Sequence, residues 1–222
     1  MEIQYLGHSS FRIKGKTVTI VTDPYDSEKV GFKFPKLEAT IVTISHDHFD
    51  HNQAQLVDPS AGSGQAPKVV SGPGEYEIAG VSIFGTHTYH DNKNGEERGS
   101  NTVYTITIDG VNICHLGDLG HKLSDEQLDS IGNVDVLLVP VGGVDTIDPS
   151  EASQVISQIE PKIIIPMHYK VPGLAISKRD DMSDVEAFVK EIGIEPVRDN
   201  KFVITPDKML EEVQLVVLER RS

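Results

Sequence analysis

Cysteine is almost missing from this chain: Cys114 is the only one in 222 residues. An internal disulfide is therefore excluded, and a reducing cytoplasm suits the protein. The setting Val111-Asn112-Ile113-Cys114 reads as a buried strand thiol, inert rather than nucleophilic. Positive charge is scarce as well. Twenty Lys and Arg against 34 Asp and Glu give a formal net charge of −14. No basic cluster interleaved with aromatics interrupts that excess. Most of such a surface would repel DNA or RNA, so nucleic acid is not an expected partner. No hydrophobic run approaches the roughly 20 residues of a membrane span. The opening Met1-Glu2-Ile3-Gln4-Tyr5-Leu6-Gly7-His8 lacks the basic-then-apolar order of a secretory signal. A cytoplasmic protein with no membrane partner is expected. A Gly-x-Ser-x-Gly elbow is absent too, which removes one common source of a serine nucleophile.

Histidine and aspartate, by contrast, crowd one short stretch. His46-Asp47-His48-Phe49-Asp50-His51 follows the apolar run Ala39-Thr40-Ile41-Val42-Thr43-Ile44. That run is β-branched and short enough for a buried strand, so the cluster lies just past a strand end. On a helix His46 and His48 would face different ways, because residues two apart are not helical neighbours. A loop leaving a strand can turn both imidazoles onto one ion, while Asp50 and His51 diverge toward a second. Core packing does not call for three histidines and two aspartates in six positions.

The remaining chain reads as strands first and strand–helix alternation later. Residues 3–6, 10–14 and 17–22 alternate as strands separated by Gly7 and Gly15-Lys16, and 26–38 has no clear period and reads as loop. A short helix is expected between the cluster and Pro59. The small residues from Ser60 to Pro67 read as a surface connection. Strands follow at 68–70, 75–78 and 81–86, and a hairpin joins 102–108 to 111–115 around Asp109-Gly110. Helices are expected after Ser124, from Asp148-Pro149 to about Ile159, and from Ser183 to Gly193. Buried strands are expected at 134–139 and 162–165, with closing strands near 201–205 and 213–218. This order predicts one α/β domain over residues 1–222, with two sheets face to face and helices outside.

The pattern H-x-H-x-D-H, present as His46, His48, Asp50 and His51, resembles the signature of the metallo-β-lactamase superfamily. Gly7-His8-Ser9-Ser10-Phe11 and Leu116-Gly117-Asp118 resemble its branch of L-ascorbate-6-phosphate lactonase-like hydrolases. The match runs from about residue 3 to about residue 170. The resemblance implies a four-layer αβ/βα sandwich of two mixed sheets and a binuclear metal centre. Asp118 leaves a strand through Gly117, and family analogy makes it the bridging ligand. His168, after Ile165-Pro166-Met167, resembles the family's last histidine.

The third histidine has two candidates. His87 and His90 would face opposite ways on a continuous strand, and the branch's small-then-aromatic lead-in favours His90. Site one is then His46, His48 and His90, and site two is Asp50, His51 and His168, with Asp118 between them. Imidazole and carboxylate ligands without thiolate suit zinc, with manganese or iron compatible. Asp23 is the expected outer-shell partner of a ligand histidine. His8 and His121 are expected to touch substrate or relay a proton. Asn101, Tyr169 and Lys170 are weaker versions of the same idea, and residues 91–99 are expected to form a mobile partial lid.

Together these imply a metal-dependent hydrolase. Two divalent ions would activate a shared water for attack on a carbonyl or phosphoryl centre, with Asp50 orienting the nucleophile. A small ester, lactone or phosphodiester is the expected substrate, and a β-lactam is not. Two alternatives from other classes are a non-catalytic metal-binding module and an iron-dependent redox protein. A homo-oligomer is left open.

Overall fold

The computed structural model describes residues 1–60, 64–176, 179–209 and 212–221. The middle of the expected 60–67 connection, residues 61–63, lies outside the described residues. Two sheets face one another. The first has six strands in the spatial order Phe202–Val203, Glu2–Gly7, Ser10–Lys14, Thr19–Thr22, Ile41–Ile44 and Lys68–Ser71. Its first four strands pair antiparallel, and Thr19–Thr22, Ile41–Ile44 and Lys68–Ser71 run parallel. The second has eight, in the order Val197–Asp199, Gln214–Leu218, Ile163–Met167, Val136–Pro140, Val111–His115, Ser100–Ile108, Val81–Tyr89 and Gly74–Ile78. It is parallel from Val197–Asp199 to Val111–His115 and antiparallel beyond. The hairpin at Asp109-Gly110 has φ of 52° and 79°, the two positive values a tight primed turn requires.

The main core fills the space between the sheets. Ile3, Phe11, Ile13 and Ile20 from the first meet Ile83, Tyr104, Ile106 and Ile113 from the second. Asp125–Ile131, Pro149–Ile159 and Val185–Ile192 are the three longer helices. Pro149–Ile159 starts with a capping box on Asp148. Asp184, not Ser183, caps the last helix through the Ala187 amide, one position later than expected. A second apolar cluster covers the outer face of the first sheet. There the stretch read as loop contributes Val30, Phe32, Phe34 and Leu37 around one helical turn, Ser27–Val30. The missing period has a physical cause: anchors on irregular backbone need no repeat.

Strand ends position the site. Thr19–Thr22, Ile41–Ile44, Val111–His115 and Ile163–Met167 deliver Asp23, His46, Asp118 and His168 just past their carboxyl ends. In open α/β sheets that edge is where ligands gather.

Candidate metal centre

Asp118 sits at the middle of a buried group of imidazoles. Its Oδ2 lies 3.1 Å from His51 Nε2, 3.2 Å from His168 Nε2, 3.4 Å from His90 Nε2 and 4.0 Å from His46 Nε2. The potential ligand atoms fall into two main sets, one of His46, His48 and His90, the other of His8, His51, Asp118 and His168, and a third grouping of Asp23, His46 and His51 links them. Asp50 reaches the second set from the side, with Oδ2 at 3.1 Å from His8 Nε2 and 3.8 Å from His51 Nε2.

The backbone is bent to this purpose. His8, Asp23 and His168 have φ of 57°, 40° and 49°. Such values are uncommon for residues with a Cβ and concentrate where a site over-determines the chain. The His168 amide donates to His8 O at 2.8 Å, which ties two of these bends together. Gly117 has φ of +56°, and a Cβ there would meet Asn101 Oδ1 and the Ser45 side chain. Only glycine fits so close an approach beside Asp118. Asn101 bolts this turn: its Oδ1 accepts from the Asp118 amide, and its Nδ2 donates to Leu116 O and Thr88 Oγ1.

Asp23 decides which way two imidazoles present their lone pairs. Its Oδ2 accepts from Ser45 Oγ at 2.5 Å, so the Ser45 oxygen is free to accept from His46 Nδ1 at 2.9 Å. Oδ2 also accepts from His51 Nδ1 at 2.8 Å. Both histidines then carry the proton on Nδ1 and turn an unprotonated Nε2 inward. Those two Nε2 atoms are buried and have no hydrogen-bond partner. At 3.1 Å, an unprotonated His51 Nε2 and Asp118 Oδ2 would be two acceptors face to face, a contact that needs either a proton or a metal cation between them. The residues present therefore fit a metal ion.

Where no metal lies between these groups a proton can take its place, and the proton affinities follow the same charges. Burial alone would lower His51, yet Asp118 and Asp50 outweigh it and push it well above the usual imidazole range. Burial likewise opposes the charge on His168, and Asp118 reverses the sign. His46 and His90, where burial dominates, are held below that range. Burial would raise the Asp118 carboxyl, but His168 and His51 hold it well below the ordinary value. His8, buried and beside His168, is lowered to about 4.

Some expected residues are not brought here. The Val81–Tyr89 strand runs three residues longer than its pattern indicated. Its alternation turns His87 outward, where Nε2 is 3.1 Å from Ser100 Oγ, while His90 is released inward past the strand end. The expectation for His121 needs correction. Its Nε2 accepts from the Tyr89 amide and its Nδ1 faces Lys122 O, so both ring nitrogens serve a turn outside the cluster. Lys170 donates to Asp180 O, and Tyr169 stacks on Tyr5. Residues 91–99, expected as a mobile partial lid, gather around one side chain: the Asp91 carboxylate accepts from the amides of Lys93, Gly95, Glu97 and Arg98, and Arg98 and Gly99 line a groove with His46 and His48. Burial opposes that charge, but the four donors bring the Asp91 carboxyl down to about 2. Reasoning from sequence missed Ser45 and Ser9, whose Oγ donates to Asp118 Oδ1 at 3.3 Å. The adjacency of Ser9 to His8 and of Ser45 to His46 was the available signal.

The description "Beta-lactamase superfamily domain" matches residues 2–168. This chain belongs to that superfamily. A solved structure from Thermotoga maritima, described as a candidate zinc-dependent hydrolase of the metallo-β-lactamase superfamily, is 36% identical, with a TM-score of 0.80 over 99% of both chains. A UPF0173 metal-dependent hydrolase of Pelotomaculum thermopropionicum is 30% identical over 199 residues, covering 76% of this chain and 84% of that protein. One from Thermococcus onnurineus is 29% identical over 215 residues, 87% and 92% of the respective chains. The protein is an enzyme of the metal-dependent hydrolase class, with the metallo-β-lactamase fold. None of its helices is long and apolar enough to cross a membrane, among the described residues.

If Asp23 sets the tautomers of His46 and His51, Asp23→Asn should weaken metal affinity by about 10–100-fold without abolishing binding. Competition with a calibrated chelator measures this directly. Unchanged affinity would remove Asp23 from the site.

Proposed function

We propose that the protein hydrolyses a small ester, lactone or phosphodiester at a centre of two divalent ions, zinc first among them. The observation that carries this reading is the division of the imidazoles, all buried except His48, into two sets around one carboxylate, Asp118. One ion would be held by His46, His48 and His90, and the other by His51 and His168 with Asp50 or His8, Asp118 serving both. When bound, such a pair supplies Lewis acidity and a water made acidic enough to ionise near neutral pH.

The chain's own residues do the rest. Asp23 and Ser45 hold the His46 and His51 rings in one tautomer. Ser9 and the Asp118 amide's bond to Asn101 fix the carboxylate between the two sets. Asp50, ionised by the facing His51 and His8 against the effect of burial, is the group placed to accept and orient a proton at Oδ2. His8 Nε2, at 3.1 Å from that oxygen, is the positioned partner for its transfer. A groove of about 430 Å³ opens beside His46 and His48, lined in part by Ser71, Ser100, Thr102 and Arg98. That volume suits a small molecule. The acidic balance of the chain speaks against a nucleic acid, and the single buried Cys114, its thiol pushed up to about 12 by burial, suits a reducing cytoplasm.

The test is a screen of lactones, phosphodiesters and thioesters against the metal-loaded protein, with metal counted per chain. Turnover that scales with two equivalents supports the reading; full turnover at one equivalent excludes the two-ion form. The choice of histidine has its own check. His90→Ala should empty the ion held with His46 and His48 under dilute metal, whereas His87→Ala should leave metal content nearly intact. The reverse pattern would identify His87 as the ligand.

A further inference from the structure

A second groove, of about 530 Å³, lies on the outer face of the first sheet and shares no residue with the histidine cluster. Ile13 and Ile20 point from this sheet into the main core, so by strand alternation Arg12, Lys14 and Thr19 point out. Lys14 is paired with Thr19, and Gln4 with Arg12, across the neighbouring strands. Lys36 comes from the segment that covers this face, and Arg221 from beyond the last strand, its amide fixed on Tyr5 O at 2.8 Å. Four basic side chains and two acidic ones, Glu38 and Asp58, line the groove, a balance of 4 − 2 = +2 in a chain of net charge −14.

These cations are not neutralised in the ordinary way. Arg12, Lys14 and Arg221 make no ion pair among the described residues, while Lys36 lies 3.9 Å from Asp58. Arg12 Nη1 and Arg221 Nη1 donate to the same neutral acceptor, Gln4 Oε1, at 3.3 and 3.0 Å. Arg12 Nε is buried and has no partner. Two guanidiniums drawn to one uncharged oxygen repel each other, and an unsatisfied buried N–H is costly. One oxyanion resolves both, because guanidinium forks match the geometry of phosphate oxygens.

We propose that this groove binds a small phosphorylated ligand, with its phosphate between Arg12, Arg221 and Lys14. The groove's volume is that of a small-molecule site. A long nucleic acid would extend beyond the groove over a chain whose net charge is −14.

The experiment is calorimetric titration of the metal-loaded protein with pyrophosphate at fixed ionic strength. The wild type should show a binding event that the paired substitution Arg12→Gln and Lys14→Gln weakens at least tenfold. Metal content and turnover, to which these residues do not contribute, should stay unchanged. Arg12→Lys keeps the charge but loses the fork and should fall between the two. Titration curves identical in wild type and double variant would overturn the proposal, since any binding then belongs to the metal centre. Displacement by chloride as readily as by phosphate would also overturn it, as mere charge screening. So would tighter binding of a single-stranded oligonucleotide than of pyrophosphate. Loss of the folded near-UV signal in the double variant would pass the decision to Arg12→Lys and Arg221→Gln, each expected to weaken binding.

Discussion

Asparagine at position 118 is expected to leave the protein folded while stripping most of its metal and its turnover. The amide has the shape of the carboxylate, so the Asp118 backbone bond to Asn101 and the surrounding packing can persist. It lacks the charge, however, and replaces one acceptor oxygen by an NH2 donor. That donor or a weaker carbonyl would face His51, His90 and His168, now 3.1–3.4 Å from an anionic oxygen. Losses of outer-shell partners cost about 10–100-fold. A carboxylate shared by two ions should cost more, roughly a thousandfold or greater in kcat/KM, which corresponds to about 4 kcal/mol or more of lost transition-state stabilisation. Metal analysis after dialysis, with kcat/KM on whichever substrate the screen yields, measures both effects. A variant with two ions and near-native turnover would displace Asp118 from the centre.

Removing the metal should lower the melting temperature strongly. The native state alone gathers the candidate ligands from five separated segments, His8, His46 to His51, His90, Asp118 and His168, with Asp23 supporting them from behind. An ion bound only by that state stabilises it by about 2.7 kcal/mol at a free concentration one hundred times Kd. Each kcal/mol moves a chain of this size by roughly 2–4 °C. Two occupied sites should therefore add on the order of 10 °C or more, lost on chelation and regained on adding metal back. Calorimetry of loaded, chelated and reconstituted protein checks this. Identical melting temperatures after verified removal would mean that the cluster does not bind metal in the folded state alone.

Particular residues show what could be read without coordinates. The cluster from His46 to His51 was legible because its members are neighbours in the chain and follow an apolar β-branched strand. Asp118 and His168 were legible because each leaves a strand of the same kind, one through glycine. His90 was separable from His87 only by where a strand ended, and strand ends are set by pairing. Tyr89 pairs with Ser100, which extends the strand past its apolar pattern and fixes which histidine is released inward. His121 resembled a site residue because a histidine after glycine looks the same whether its nitrogens face a cluster or a turn. The internal order of residues 91–99 was not legible for a related reason. Polarity marks a loop, but it does not reveal that one carboxylate gathers four of its amides.

The sequence by itself determined the chemistry and the class of fold: metal-ligating residues past strand ends, two kinds of sheet segment, helices with readable caps, and an acidic chain without disulfides. Local spacing and periodicity carry that information, because strand alternation, capping and ligand adjacency all act over a few residues. Only the tertiary structure decided how distant groups meet. The pairing of Thr19–Thr22 with Ile41–Ile44 puts Asp23 against Ser45 and His51, and so sets two imidazole tautomers. The return of the chain end beside the first hairpin puts Arg221 next to Arg12. Such contacts depend on register across sheets, and register is fixed by the whole core rather than by the residues that meet.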